Sequence, residues 1–270
     1  MISRILDYKI IDIHTHMGQQ YCLYYPEHDM DSMCAFMEEA GVEFVICCPL
    51  EDVFSYNTKR FQIKNAMKKY PEKFKGYYGI NPSCYNIGLV KRDFEENPGY
   101  VGIGELLPDY HRVDITDELY RPIMEFADEN NLILLCHTWG TSIYGESRNS
   151  ADKIARILDT YQNIIFIMGH SIQGQADLAI NLAKSFNNAY LDMNDTGRLN
   201  GMIEKMVREA GAHKILFGSD APMQTYYNHM GAVLGARITD VEKKMIFRDN
   251  ALNIFSRSER TSQHIKHLDF

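Results

Sequence analysis

Residues 132–170 read LILLCHTWGTSIYGESRNSADKIARILDTYQNIIFIMGH. Two short apolar runs, LILLCH (132–137) and IIFIMGH (164–170), flank an amphipathic helical stretch, SADKIARILDTY (150–161). A strand, a crossover helix and a second strand make the unit that joins parallel neighbours in a sheet. Both runs end on a histidine, His137 and His170.

The same alternation extends in both directions. KIIDIH (9–14), EFVICC (43–48), KGYYGI (75–80), YVGIGE (100–105), AYLDMN (189–194) and KILFGS (214–219) bring the strands to eight. Between the first two lies MDSMCAFMEEAG (30–41), with Met30, Met33, Cys34 and Met37 at helical spacing and Gly41 placed to cap the C-terminus. NTKRFQIKNAMKKY (57–70), TDELYRPIMEFADEN (116–130) and RLNGMIEKMVREAG (198–211) are further helical stretches. The strand ends His14, Cys48, Asn81, Glu105, His137, His170, Asn194 and Asp220 recur roughly every 24–34 residues, room for one strand, one helix and two loops. Such alternation predicts a parallel sheet covered by helices, and eight units close into an α/β (β/α)8 barrel of TIM type. The reading is of one domain over residues 1–270. After about residue 238, VEKKMIFRDNALNIF (241–255) is expected to form closing helices, the second starting at Asp249-Asn250-Ala251. The polar tail SRSERTSQHIKHLDF (256–270) is expected to be peripheral.

The chain's 28 Lys and Arg against 36 Asp and Glu give a net charge of −8. This lacks the basic footprint of a nucleic-acid binder and repels an anionic membrane surface. No run approaches the ~20 apolar residues of a membrane helix. The six cysteines (22, 34, 47, 48, 84 and 136) contain no Cys-x-x-Cys pair and read as free thiols. With an N-terminus that does not resemble a secretion signal, the expectation is a cytoplasmic protein.

The chemistry begins at His14-Thr15-His16. Strand alternation puts residues i and i+2 on one face, so both imidazoles point the same way, a pair suited to a divalent transition metal. Alone, the pair reads equally well as two surface or core histidines. What singles it out is the rest of the barrel: Glu105, His137, His170 and Asp220 end the fourth, fifth, sixth and eighth strands. All those ends lie on the face where barrel active sites form. Four imidazoles and two carboxylates are therefore expected to converge at the mouth, where leaving them unpaired and buried would be costly.

The order His-x-His, Glu, His, His, Asp, with the strings IIDIHTHMG, LCHTWG, IMGHS and FGSDAP, resembles the amidohydrolase superfamily, in particular its amidohydrolase-related family, over nearly the whole chain. The resemblance implies that His14, His16 and Asp220 hold one metal and His137 and His170 a second. Glu105, as in the TatD-like branch, would bridge them in the place a carboxylated lysine takes in many relatives. In members with a single metal, held by the His-x-His pair, the strand-five His and the strand-eight Asp, the strand-six His is catalytic, so His170 has two roles open to it. Relatives often follow the strand-four Glu with Lys and His-Pro; here the chain reads GELLPDYH.

The expected cofactor is one or two divalent ions, zinc first. The catalytic residues are Asp220, as acceptor of a proton from activated water, and His170. The leading function is hydrolysis of an amide, ester or lactone in a small molecule. A one-metal decarboxylase or hydratase is the alternative, and a non-catalytic binding barrel a distant third. A homo-oligomer stays open. Trp139 and Arg112 are candidate substrate contacts, with Arg148 and Arg198 in neighbouring loops as further anion clamps. Asp12 is expected to share the inward face with His14 and His16, where it would orient them or simply pack. His28, His111 and His229 belong to the same loops with weaker claims, while His213, His264 and His267 lie away from that face.

Overall fold

Eight parallel strands lie in sequential order around a barrel. They are β1 (Ile10–Met17), β2 (Val42–Pro49), β3 (Phe74–Tyr78), β4 (Tyr100–Leu106), β5 (Ile133–Trp139), β6 (Ile165–Gln173), β7 (Ala189–Asp192) and β8 (Ile215–Leu216). The computed structural model describes residues 8–18, 28–49, 61–139 and 147–268. The expected (β/α)8 barrel is the observed architecture.

The helices follow from ordinary end signals. In α1 (Met30–Ala40) the Asp29 carboxylate accepts from the N–H groups of Asp31 and Ser32, and Gly41 ends the helix at φ 75°. Next comes α2 (Phe61–Lys69). Then α3 (Ile87–Glu96) is capped by the Asn86 side chain; periodicity picks out neither it nor the helix over Ala176–Ser185. Pro108 starts the one-turn α4 (Pro108–His111), and Pro122 sits in the first turn of α5 (Arg121–Glu129). That proline shortens the helix expected from residue 116. The remaining crossovers are α6 (Ala151–Thr160), α7 (Ala176–Ser185) and α8 (Met202–Ala210).

β8 is only two residues long, shorter than KILFGS suggested, because Phe217 N–H turns to donate to Ile246 O at 3.1 Å rather than extending the β7 ladder. Closure is completed by the segment that follows. Ile13 N–H donates to Phe217 O (3.0 Å), Asp220 N–H to His14 O (2.8 Å) and His16 N–H to Ala221 O (2.7 Å). Inside the barrel Ile11, Ile13, Phe44, Ile46, Tyr77, Leu135 and Ile167 form one apolar core; a larger outer core lies between strands and helices.

Beyond β8, α9 (Tyr226–Gly235) is followed by α10 (Asp240–Lys244), a π-helical segment (Met245–Asp249), α11 (Asn250–Phe255) and α12 (Glu259–Ser262). α11 does not start on a fresh cap: the π segment carries the helix through Asp249 without a break. The tail is not peripheral. Thr261 and Ile265 are buried, and Arg260 donates to the carbonyls of Tyr100 (2.8 Å), Asn97 (3.4 Å) and Phe94, sealing the barrel floor. Its polar sequence conceals this because its partners are backbone oxygens. Among the described residues no helix is long and apolar enough to cross a membrane, and the five described cysteines are free thiols; Cys22 lies outside them.

Candidate metal centre

All six expected ligand residues meet at the C-terminal mouth. Glu105, at the end of β4, stands among the imidazoles. Its Oε1 lies 3.1 Å from His137 Nδ1, 3.6 Å from His14 Nε2 and 3.6 Å from His170 Nε2, and its Oε2 is 3.7 Å from His16 Nε2. Asp220 Oδ1 is 2.9 Å from His16 Nε2 and 3.5 Å from His14 Nε2. Two sets of donors close enough to grip one cation, His14–His16–Glu105 and Glu105–His137–His170, therefore share Glu105. A third set joins His170, Asp195 and Asp220.

The backbone is held in a costly shape to achieve this. His170, Ser171 and Ile172 have φ of 61°, 49° and 49°, and Asp220 has 62°. Left-handed backbone at non-glycine residues costs about 1–3 kcal/mol each and persists only where neighbours over-determine it. Here hydroxyls do so: Ser171 Oγ donates to Asp192 O (2.6 Å), Thr138 Oγ1 accepts from Ile172 N–H (2.9 Å) and Thr196 Oγ1 donates to His170 O.

Charge is tightly coupled in the bare protein. Burial disfavours a charged His14, yet Glu105 and Asp192 hold its pKa well above the usual imidazole value. Burial likewise opposes ionisation of Glu105, but His14 and His137 keep it well below the usual carboxylate range. His170 rises to about 10 against its burial, through Asp195, Glu105 and Asp220. Asp220 is held low, burial being outweighed by His16, His14 and His170.

A divalent cation fits this donor set. His14 Nε2 faces His16 Nε2 at 3.2 Å, and His170 Nε2 faces His137 Nδ1 at 3.1 Å. Two facing ring nitrogens can share one proton, whereas a cation satisfies both lone pairs. Asp220 Oδ1 is buried without a hydrogen-bond donor, which a cation also remedies.

Other expected contacts sort differently. Half-buried Trp139 stacks parallel to His137 (centroids 5.6 Å, 4°) and meets His170 edge-on (5.6 Å, 67°), while Tyr110 meets His137 edge-on (5.4 Å, 76°). Arg112 is exposed; its backbone, at φ 56°, ends α4. Arg148 is exposed and contributes its backbone N–H to Asp109 (2.6 Å). Arg198 reaches the centre indirectly, paired with Asp195. His229 is fully buried, its ring hydrogen-bonded to Thr225 O (3.3 Å), and burial lowers its pKa. His28 O accepts from Gly18 N–H.

Asp12 corrects the simple alternation argument. The β1–β2 register shifts between Asp12 and Thr15, so Ile11 and Ile13 join the inner core while His14 and His16 still line the mouth. Asp12 Oδ1 instead accepts the backbone N–H groups of His14 (3.0 Å) and Ser219 (3.1 Å), fastening β1 to the segment after β8, and burial raises its pKa to about 7. The carboxylate on the His14 ring is Asp192, with Oδ2 2.7 Å from Nδ1. Asp192, Asp195 and Gln224 were absent from the sequence-based set. Asp192 and Asp195 do carry one signal: both are acids at or just beyond the C-terminal end of a strand.

A family model described as Amidohydrolase matches residues 11–257. The chain belongs to the amidohydrolase family. Its fold and family make it an enzyme, from a group whose members use divalent metals and include both hydrolases and decarboxylases. No curated protein sequence matches it. Among solved structures, it is similar to an uncharacterised TIM-barrel protein from Bordetella bronchiseptica (16% identity, 92% of this chain and 99% of that one, TM-score 0.74). A dihydroxybenzoic acid decarboxylase from Polaromonas sp. JS666, with bound manganese and the inhibitor 2-nitroresorcinol, shows 17% identity over 92% and 97% of the two chains, with TM-score 0.68. A probable 2-pyrone-4,6-dicarboxylic acid hydrolase from Acinetobacter baumannii, with citric acid bound, shows 14% identity over 92% and 99%, with TM-score 0.66. At these identities the likeness is one of fold.

Proposed function

We propose that this amidohydrolase is a metal-dependent hydrolase that cleaves an amide, ester or lactone bond in a small molecule. The observation that carries the reading is Glu105, one carboxylate common to two donor sets. In it, His14, His16 and Asp220 hold one divalent ion, zinc first, His137 and His170 hold a second, and Glu105 lies between them. When bound, such ions polarise a substrate carbonyl and bring the pKa of water toward neutrality. Asp220 is ionised in its buried setting and accepts a proton, which it returns to the leaving group. Trp139 and Tyr110, both packed against His137, wall the mouth and exclude water from one flank of the substrate.

A second reading has its own support. His170 Nδ1 faces Asp195 Oδ2 at 3.1 Å, as a proton-donating histidine would in a one-metal decarboxylase, and the Polaromonas relative is a decarboxylase with bound manganese.

The test is to strip the protein, reload it with zinc or manganese, count ions by elemental analysis, and assay amide, ester and lactone panels beside carbon dioxide release from carboxylic acids. Two ions per wild-type chain, falling toward one in Glu105→Gln, with activity on the hydrolytic panel, is the expected result. One ion in both proteins, together with carbon dioxide release, overturns it in favour of the lyase.

A further inference from the structure

Strand β7 supplies none of the six donors, yet its end carries two carboxylates that touch the centre. Asp192 is fully buried. Its Oδ2 lies 2.7 Å from His14 Nδ1 and accepts the His170 backbone N–H at 3.3 Å, and its Oδ1 accepts the Asn194 backbone N–H at 3.0 Å. Three residues on, Asp195 Oδ2 lies 3.1 Å from His170 Nδ1, a close ionic contact rather than an aligned hydrogen bond. Its Oδ1 is occupied by Arg198 and by Gln224 Nε2 (3.1 Å). Gln224 Nε2 also reaches Asp220 Oδ2 at 3.4 Å.

The layout is parallel at the two histidines. Each presents Nδ1 to a carboxylate at or just beyond the end of β7 and Nε2 to Glu105, at 3.6 Å in both cases. A neutral imidazole has one N–H, and an ionised carboxylate only accepts. A carboxylate at Nδ1 therefore keeps the proton there and leaves the Nε2 lone pair directed at the centre. Asp192 reaches β1 across β8 because the sheet offers nothing in between: β8 ends at Leu216, and Gly218 has no side chain where Asp192 Oδ1 lies.

We infer that Asp192 and Asp195 are positioning residues that fix the Nδ1–H tautomers of His14 and His170, so that the end of β7 and the turn after it preset a nitrogen ligand in each half of the centre. This rests on the two-ion reading above for the identity of the halves. The two contacts are unequal. Asp192 is aligned, shorter and fully buried, whereas Asp195 is longer and divides its charge with Arg198. Loss of a carboxylate behind a metal-binding histidine weakens metal affinity about 10–100-fold. Asp192→Asn should fall toward the 100-fold end for the ion held through His14, because its new NH2 must face a backbone or ring N–H. Asp195→Asn should fall nearer tenfold, for the ion held through His170.

The experiment pairs chelator competition on the zinc-loaded variants with 15N–1H NMR of the histidine rings in zinc-loaded wild type, where the tautomer is read without any mutation. Expected are Nδ1–H signals for His14 and His170 in wild type, and selective loss of one ion's affinity in each folded variant. Nε2–H tautomers in wild type, or folded variants that keep wild-type affinity for both ions, overturn the inference. So does an ion found on His170 Nδ1, Asp195 and Asp220, which would make Asp195 a ligand. If wild type takes a single ion, the bridging role of Glu105 fails separately, and the wild-type tautomers still decide this inference.

Discussion

Replacing Gly218 by alanine should disable the centre without replacing a ligand. A Cβ built there lies 2.2 Å from Asp192 Oδ1, 2.9 Å from Asp192 Cγ and 2.9 Å from His14 Cβ. Neither neighbour is the free end of a flexible chain, since Asp192 is fixed by His14, His170 and Asn194 and both residues are fully buried. Something must move by about 1 Å to restore ordinary contact. Overpacking of a tight core costs about 1–3 kcal/mol. Weakening the His14 hydrogen bond to a charged acceptor adds roughly 1.5–3 kcal/mol. A total of about 2.5–6 kcal/mol corresponds to a fall in Tm of roughly 5 °C or more for a chain of this size. Metal affinity should fall with it, since the displaced group is what holds the His14 ring. The assay is calorimetry of the metal-free protein together with zinc competition. Gly231→Ala is the control: it lies inside α9, and nothing stands within 4 Å of its added Cβ. That change should be neutral or stabilise by up to about 1 kcal/mol. Gly218→Ala with wild-type Tm and wild-type zinc affinity would show that Asp192 has slack to yield and is no fixed support.

The pH dependence of stability should differ in form between metal-free and loaded protein. Without metal, His170 has a folded pKa of about 10 and His14 is also raised, so their stabilisation is full below pH ~6.5 and is lost as pH rises toward 10. Glu105 and Asp220 are depressed, so theirs is present above pH ~4.5 and lost in acid. Loaded protein instead gains stability as pH rises toward ~6.5, because the ion competes with imidazole protons, and then levels off. Each unmatched proton contributes up to about 1.4 kcal/mol per pH unit; denaturant titrations at pH 5, 6.5, 8 and 9 that give parallel curves for both forms would refute this. At the barrel floor, Arg260→Ala removes the guanidinium that donates to the carbonyls of Phe94, Asn97 and Tyr100 and should cost about 2–4 kcal/mol by urea unfolding. Arg260→Lys should recover only part, lacking the planar fork, and an alanine variant as stable as wild type would return the tail to the periphery.

The strand count, the barrel and the convergence of His14, His16, Glu105, His137, His170 and Asp220 were legible in the sequence, because apolar runs of strand length and their C-terminal residues are local signals that parallel order projects onto one face. Three features were not. Strict alternation would turn Asp12 inward with the histidines, but the register shift in β1 sends it to the backbone of Ser219. The carboxylate that does support His14 is Asp192, from a strand two places around the barrel, and which acid reaches which ring depends on the brevity of β8 and the missing side chain of Gly218. The tail looked peripheral because its composition is polar, yet Arg260 finds backbone carbonyls that no residue pattern advertises. Periodicity is written in each segment by itself, so sequence decides which elements form and what chemistry their ends carry. Pairings across the barrel depend on register, strand length and empty space, which exist only once the sheet has closed.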